Sequence, residues 1–520
     1  VQREHAVRSL KAPRADTGLP EERDYASSGA RLSLIIRAGI RALWLKAAEE
    51  LHMSEIARTT GATARVASFI HGTALDAFPP DAVPKARKAI ADTFAAILSG
   101  AGSEVSQPLL SYINAMHASG ESPILGTGLS AAPETAAMVN GTFGHALDYD
   151  DVLSMMPAHP SAVILAAVLA SLDGKSLSGR SLVEAYVVGV EVGGKIGLGM
   201  TVGHYHRGYH ATGSLALFSA LAALLKLHRV DISTAQQAFG IAGSMSSGLR
   251  RNFGTMTKPL HTGIAARSAL TAWRLATCGF TAASDILEAK SGVYSTLGVA
   301  ESNADLTAER LGHPFVIVDP GLALKKFPCC YASHRAMDGL LALQSKLGFT
   351  AASVERVVCR MPPGGMQVLT YARPKTGLEG KFSLQYPLAA GLLDGGYSLW
   401  TFTDEAVQRK EIATLYERID AHEDPSCRGE DPEFEKRSSG SRGFVEIEVH
   451  LTDGRSAKMR VDKAPGSPAR ELTWDDLRLK FMDCARQSMS VTEVKAEQAF
   501  AAIQRLEELD DIGSAVELLR

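Results

Sequence analysis

The stretch HALDYDDVLSMMPAHPSA, residues 145–162, sets Asp148, Asp150 and Asp151 beside His145 and His159 in an otherwise apolar neighbourhood. Read as a helix, it puts Asp148 and Asp151 on one face within a turn, with His145 beside them, while Asp150 points largely the other way. A buried acidic stripe costs several kcal/mol unless it is paired or protonated. The segment is therefore a candidate site, and a solvated helix end is the plainer alternative, stronger for Asp150 than for Asp148. A diphosphate-binding Mg²⁺ site, as on the aspartate-rich helices of all-helical terpenoid enzymes, would need aromatic walls for carbocations, and only 6% of this chain is aromatic.

Three further segments carry chemistry. His159 directly precedes a Pro-Ser helix start, and HYHRGYHATGSLALF places His204, His206 and His210 before another. A helix N-terminus attracts anions and lowers the pKa of a nearby imidazole, keeping it neutral and able to act as a base. Two such starts predict a convergent carboxylate pocket; metal binding by the His204/His206 pair lacks an ordered third ligand. In GLRRNFGTMTKPLHTGIAAR, glycines allow close backbone approach to a ligand, and Arg250, Arg251, Lys258 and His261 supply cationic or polar groups. Neither a phosphate-binding GxxxxGK[ST] loop nor a dinucleotide fingerprint is present in a suitable context. KKFPCCYASHRAMDG brings Cys329 and Cys330 between an extended segment ending at Pro328 and a helix starting near Ser333. Vicinal cysteines of this kind are packing residues more often than redox centres; Cys330 is a proton donor only if it faces the cleft.

Helical apolar spacing is steady from residue 64 to about 300, with Pro/Asp starts and glycine stops. Segments such as SAVILAAVLASLDG and TGSLALFSALAALLKLHRV are apolar nearly all round, which predicts burial in the middle of a helical domain with antiparallel neighbours. After about residue 313 the pattern changes: HPFVIVDPG, VERVVCRMPP and GFVEIEVHLTDGRSAKMRVDKA read as strands, the last a hairpin around Asp-Gly. AHEDPSCRGEDPEFEKRSSGSRG (421–443) reads as a solvated loop, and the final helices fold back on the first domain. The fold expected is mostly α, a large all-helical domain at 64–312 completed by 470–520, plus a smaller α+β lid at 313–469. Residues 1–63 read as an extension with a disordered start.

Composition bounds the function. With 520 residues, 46% hydrophobic and 21% charged, the chain is an ordinary globular protein of two or three domains. A net charge of −3 gives no global attraction to nucleic acid or to an anionic membrane. The six cysteines form no CxxC pair, which favours a reducing cytoplasm over a disulfide or zinc scaffold. Apolar runs are interrupted before about 18 residues, and LSLIIRAGIRALWL (33–46) carries arginines and no cleavage site, so neither a membrane span nor a signal peptide is expected.

Taken together, NGTFGHALDYDD, HPSAVILAA, GYHATGSLALF, NFGTMTKPLHTGIAAR and FPCCYASHRAMDG resemble, in order, the motifs of the MmgE/PrpD family. That family includes 2-methylcitrate dehydratase, cis-aconitate decarboxylase and iminodisuccinate epimerase. The resemblance runs from about residue 64 onward. It implies an active site between helical domain and lid, a homodimer, and no cofactor or metal. It implies catalytic roles for Asp148, His159, His210, Lys258 and the lid tyrosine Tyr386, beside which Cys330 is a lid candidate for a proton donor. Two departures stand out: Val152 replaces the decarboxylase's threonine, and Cys330 replaces its lid histidine, which sets the chain apart from cis-aconitate decarboxylation.

The function expected is cofactor-independent proton transfer at a carbon beside a carboxylate of a small di- or tricarboxylate, in a hydro-lyase or an epimerase. Lys258 holds a carboxylate and stabilises the enediolate, with His261, Arg250 and His206 assisting in binding. His159 or His210 takes the proton, and Asp148 orients it or returns a proton. Cys330 or Tyr386 supplies a second donor in an epimerase. The rivals are a cis-aconitate decarboxylase, a metal-dependent terpenoid-type enzyme and a catalytically silent helical scaffold.

Overall fold

The computed structural model describes residues 61–117 and 119–520, which together contain a helical core and an α+β core. The extension expected at 1–63 lies outside the described residues up to Thr60.

The longer helices of the first core are α1 (Ala62–Gly72), α2 (Ala82–Ala101), α3 (Pro133–Ala146), α4 (Pro160–Ser171), α5 (Gly179–His206), α6 (Ala216–Leu227), α7 (Ile232–Gly243) and α8 (Thr257–Thr277). Every residue of α4 is buried, as its unbroken apolar sequence predicts. Helix α5 is long and apolar enough to cross a membrane, but most of it is buried inside the protein, and it kinks at Thr201, where φ is 62°. Helices α3 and α8 cross very closely. A Cβ on Gly141 would lie 3.0 Å from the Cα of Gly263, and one on Gly263 would overlap the Met138 carbonyl oxygen. This glycine contact brings the end of α3 beside the start of α8.

The α+β core packs α9 (His334–Leu347) and α10 (Gln385–Asp394) against a mixed sheet. A short antiparallel pair, β1 (Ser122–Ile124) and β2 (Leu129–Ala131), precedes it in the chain and was not expected from the sequence. The sheet holds β3 (Val354–Met361), β4 (Ile419–Glu423), β5 (Val445–Leu451) and β6 (Ser456–Val461) in the order β4-β3-β5-β6. Strand β4 runs parallel to β3, and the other pairs are antiparallel. The β5–β6 hairpin expected around Asp453-Gly454 is present, with Val445 opposite Val461 and alternate residues of β5 buried.

Two readings need correction. HPFVIVDPG forms a wide helical turn rather than a strand, because the Glu191 carboxylate accepts the backbone N–H groups of Gly312 and Val316 at 2.7 and 2.6 Å and Pro320 has none to offer. The supposed loop 421–443 begins inside β4, and its later residues Ser438–Gly440 reach the central cavity described below.

The chain then returns to the helical core. Helix α11 (Trp474–Ala485) lies against α2, and α12 (Glu493–Ile503) follows it.

Candidate active site

Helix α3 ends at Ala146, so the acidic segment is not helical as expected. Asp148 sits in the left-handed region with φ of 52°, a conformation that aspartate tolerates better than most residues. Leaving the helix turns all three aspartates inward, and each is buried. Asp150 in particular is fully buried rather than solvated.

Each aspartate has a different partner. Asp148 Oδ1 accepts Lys258 Nζ at 2.6 Å and lies 3.0 Å from Lys325 Nζ, which also donates to the Asp148 carbonyl at 2.7 Å. Asp150 accepts His145 Nδ1 at 2.9 Å, and the other ring nitrogen of His145 accepts Lys258 Nζ at 2.8 Å. Asp151 Oδ2 accepts the Ser161 hydroxyl at 2.6 Å, and that oxygen is 2.6 Å from the Tyr186 hydroxyl. The Asp151 main-chain carbonyl accepts His159 Nδ1 at 2.6 Å.

Asp148, His159, Lys258 and Lys325 border a cavity between the two cores, with the other groups behind them. From the helical core come Asp148, His159, His210 and Lys258; the lid side contributes Cys330, Tyr331 and Phe382. Lys325 enters from the connecting segment. The Lys258 ammonium also lies 5.1 and 5.0 Å from the ring centres of Phe253 and Phe382.

Electrostatics sorts the groups by protonation. Burial alone would raise Asp148, but the Lys258 and Lys325 ammoniums outweigh it and hold the carboxyl well below its usual range. Burial works against the Lys325 charge, yet Asp148 and Asp150 raise its pKa. Burial lowers Lys258, only partly offset by Asp148. His145, His159 and His210 are all held well below an ordinary imidazole, first by burial and with help from the neighbouring lysines, although Asp150 opposes the shift at His159, so they are neutral at pH 7. Burial, with the Asp148 charge, pushes the Cys330 thiol up to about 11, so it keeps its proton.

The structure thus brings Asp148, His159, His210, Lys258 and Cys330 to one cavity. Tyr386 is placed elsewhere: it is buried in the α+β core, its hydroxyl donates to the Thr401 carbonyl and its ring packs on Phe402. The three residues expected to assist in binding also lie outside the cavity lining. His261 Nδ1 is 3.0 Å from His210 Nδ1. Arg250 lies 4.1 Å from the ring centre of Tyr205 and donates to its carbonyl. His206 is exposed outside the cavity lining. Sequence reasoning missed Lys325, whose one signal was a Lys-Lys pair inside an apolar run 177 residues from Asp148, and it noted His145 without assigning it a partner.

Donor atoms of His145, Asp148, Asp150 and His159 lie within 4.8 Å of one another, a spacing a divalent ion could use. The donor set fits an ion poorly, because the Lys258 ammonium already sits on His145 Nε2 and Asp148. His204 has both ring nitrogens engaged, at 2.8 Å from the Leu297 carbonyl and 2.7 Å from the Ser214 hydroxyl.

Comparison with known proteins agrees with the layout. Residues 64–303 match the MmgE/PrpD N-terminal domain and residues 327–506 the MmgE/PrpD C-terminal domain. A cis-aconitate decarboxylase of Mus musculus is 27% identical over 471 residues, covering 88% of this chain and 93% of that protein. The Homo sapiens cis-aconitate decarboxylase is 25% identical over 470 residues, with 88% and 94% covered. One from Aspergillus terreus is 25% identical over 487 residues, with 88% and 96% covered.

Proposed function

The chain belongs to the MmgE/PrpD family, and from that premise we propose that it moves a proton at a carbon beside a carboxylate of a small di- or tricarboxylate. One observation carries the reading. Two buried ammonium groups, Lys258 and Lys325, share Asp148, the one carboxylate lining the cavity among the described residues, which leaves positive charge facing the substrate space beside a neutral imidazole.

His159 is the base in this reading. A carbonyl can only accept, so His159 Nδ1 carries the proton given to Asp151, and Nε2 presents its lone pair, 3.9 Å from Asp148 Oδ1. His210 faces another imidazole, so its bonds do not fix a tautomer in the same way. Nε2 removes the α-proton, and Lys258 and Lys325 stabilise the enediolate charge that develops on the substrate carboxylate. Asp148, ionised by both lysines, has no proton to return; it aims them. The protonated Cys330 thiol on the lid wall supplies the proton to the other face in an epimerase, or to a leaving hydroxyl in a hydro-lyase.

Decarboxylation of cis-aconitate is the second reading, favoured by the names of the curated relatives and opposed by Val152 and Cys330 at the two positions that depart from the decarboxylase pattern. Incubation in D₂O with citrate, 2-methylcitrate, cis-aconitate and iminodisuccinate, followed by NMR, separates them. Deuterium at the α-carbon with a new alkene or inverted centre supports the first; CO₂ release from cis-aconitate supports the second. No exchange and no turnover with any of the four refutes both for these substrates.

A further inference from the structure

Three adjacent acidic positions in one motif are easily read as one charged patch, but their surroundings differ. The Asp151 side chain is fully buried and no ammonium, guanidinium or imidazole contacts it among the described residues. Its carboxyl contacts Ser161, through the hydroxyl at 2.6 Å and the backbone N–H at 3.4 Å. The Ser161 oxygen continues to Tyr186, itself fully buried in α5. A buried carboxylate without a counter-ion is expensive, and such a group neutralises.

We propose that Asp151 is a neutral carboxylic acid in the resting protein and a positioning residue, holding through Ser161 and Tyr186 the main-chain carbonyl that fixes the tautomer of His159. The chain of contacts is continuous: α5 anchors Tyr186, Tyr186 meets Ser161 in the first turn of α4, Ser161 holds Asp151, and the Asp151 carbonyl takes the His159 proton. A second hold acts from the far end, where His159 N–H donates to the Thr212 hydroxyl at 3.2 Å. Neutrality matters as much as geometry. A negative charge on Asp151 would add to that of Asp150, whose Oδ1 lies 3.7 Å from His159 Nδ1 and already favours imidazolium against burial and the lysines. Burial, reinforced by the Asp150 charge and opposed by the Ser161 bonds, pushes Asp151 up to about 8; Asp92 is the other acid acting on it.

The inference rests on His159 as the base, but its test reads the two ideas separately. In Asp151→Asn the side chain stays neutral and its oxygen can still accept from Ser161. Infrared difference spectra between the parent and this variant should lose a protonated-carboxyl C=O band near neutral pH. The ¹⁵N signals of His159 should keep the Nδ1–H tautomer, and kcat should stay within about threefold. Ser161→Ala should mix the His159 tautomers and lower kcat by about tenfold with KM changed less than about threefold. A carboxylate band in place of the acid band refutes the proposal. So does loss of α-proton exchange in a folded Asp151→Asn protein, or a Ser161→Ala protein with the parent tautomer and parent kcat. If Asp151→Asn does not fold, Ser161→Ala decides the positioning role, and its infrared difference from the parent decides the protonation state, because loss of the Ser161 hydroxyl should shift the acid C=O band. The infrared and nitrogen readouts need no turnover, so they stand even if His159→Gln leaves catalysis intact.

Discussion

Replacing Lys480 with methionine should weaken both the fold and the site, although Lys480 does not line the cavity. Its ammonium is buried, 2.7 Å from Asp92 Oδ1, and donates to the Tyr149 carbonyl at 2.6 Å and the Lys325 carbonyl at 2.9 Å. One side chain from α11 therefore ties α2 to both backbone segments that carry Asp148 and Lys325. Breaking a buried ion pair costs about 3–5 kcal/mol, and each carbonyl left without its donor adds about 1 kcal/mol. Asp92 recovers part of this by taking up a proton: burial already pushes it up to about 6 even with Lys480 present. A net loss of about 4 kcal/mol is expected, which for a body of several hundred residues is a fall of about 4 °C in melting temperature. The deficit should be larger at pH 8 than at pH 5. Asp92 has a raised folded pKa, so the parent pair itself is mostly neutralised on Asp92 at the lower pH, leaving less to lose. Asp92→Asn added to Lys480→Met should restore part of the loss. The assay is differential scanning fluorimetry at both pH values beside α-proton exchange in D₂O, where kcat should drop about tenfold. A variant melting with the parent at pH 8 and exchanging at the parent rate would show that the tie is idle.

Other outcomes follow from the same geometry. Lys258→Ala should lower kcat/KM at least about a hundredfold while the protein stays folded, since Lys325 still neutralises Asp148; unchanged kcat/KM would remove Lys258 from the site. His159→Gln should abolish α-proton exchange with substrate binding kept within about tenfold, and His210→Gln should not reproduce that pattern if His159 alone is the base. Activity should rise with pH as the base loses its proton. Because burial and the lysines lower the His159 pKa more than Asp150 raises it, that limb should lie on the acid side of an ordinary imidazole, and a limb above about 7 would contradict it. Exhaustive chelation with EDTA should leave turnover unchanged; loss restored by Mg²⁺ or Zn²⁺ would return the His145–Asp148–Asp150–His159 cluster to consideration as a metal centre.

The sequence announced the helical body because apolar spacing, proline starts and glycine stops are local signals, and α4 could be recognised as central from its composition alone. Asp148, His159, His210, Lys258 and Cys330 were legible as well, since they stand in motifs beside helix ends. The misplaced features depend on contacts distant in sequence. Asp148 lies just past the end of α3, and its carbonyl is taken by Lys325, 177 residues away. The HPFVIVDPG run has strand composition but meets the Glu191 carboxylate, which takes its backbone donors. Tyr386 stands in a motif-like setting, yet its hydroxyl is claimed by Thr401. Strand β4 was hidden because it is only five residues long and carries Asp, Ala and Glu, which are poor strand formers, although Asp420 and His422 do alternate with Ile419 and Ala421.

Helix α11 joins the helical core after the chain has already built the α+β unit, and this order has a consequence during synthesis. On the ribosome, the segment with Asp148 emerges long before Lys480. At about 5–20 residues per second, the interval is on the order of half a minute. Throughout it, Asp92 is buried without its cation or left in water, and the face of α2 that receives Leu477 and Phe481 stays bare. Chains interrupted within the α+β unit should therefore be chaperone clients with an unassembled site, and a C-terminal peptide spanning α11 and α12 should restore activity to them when supplied in trans.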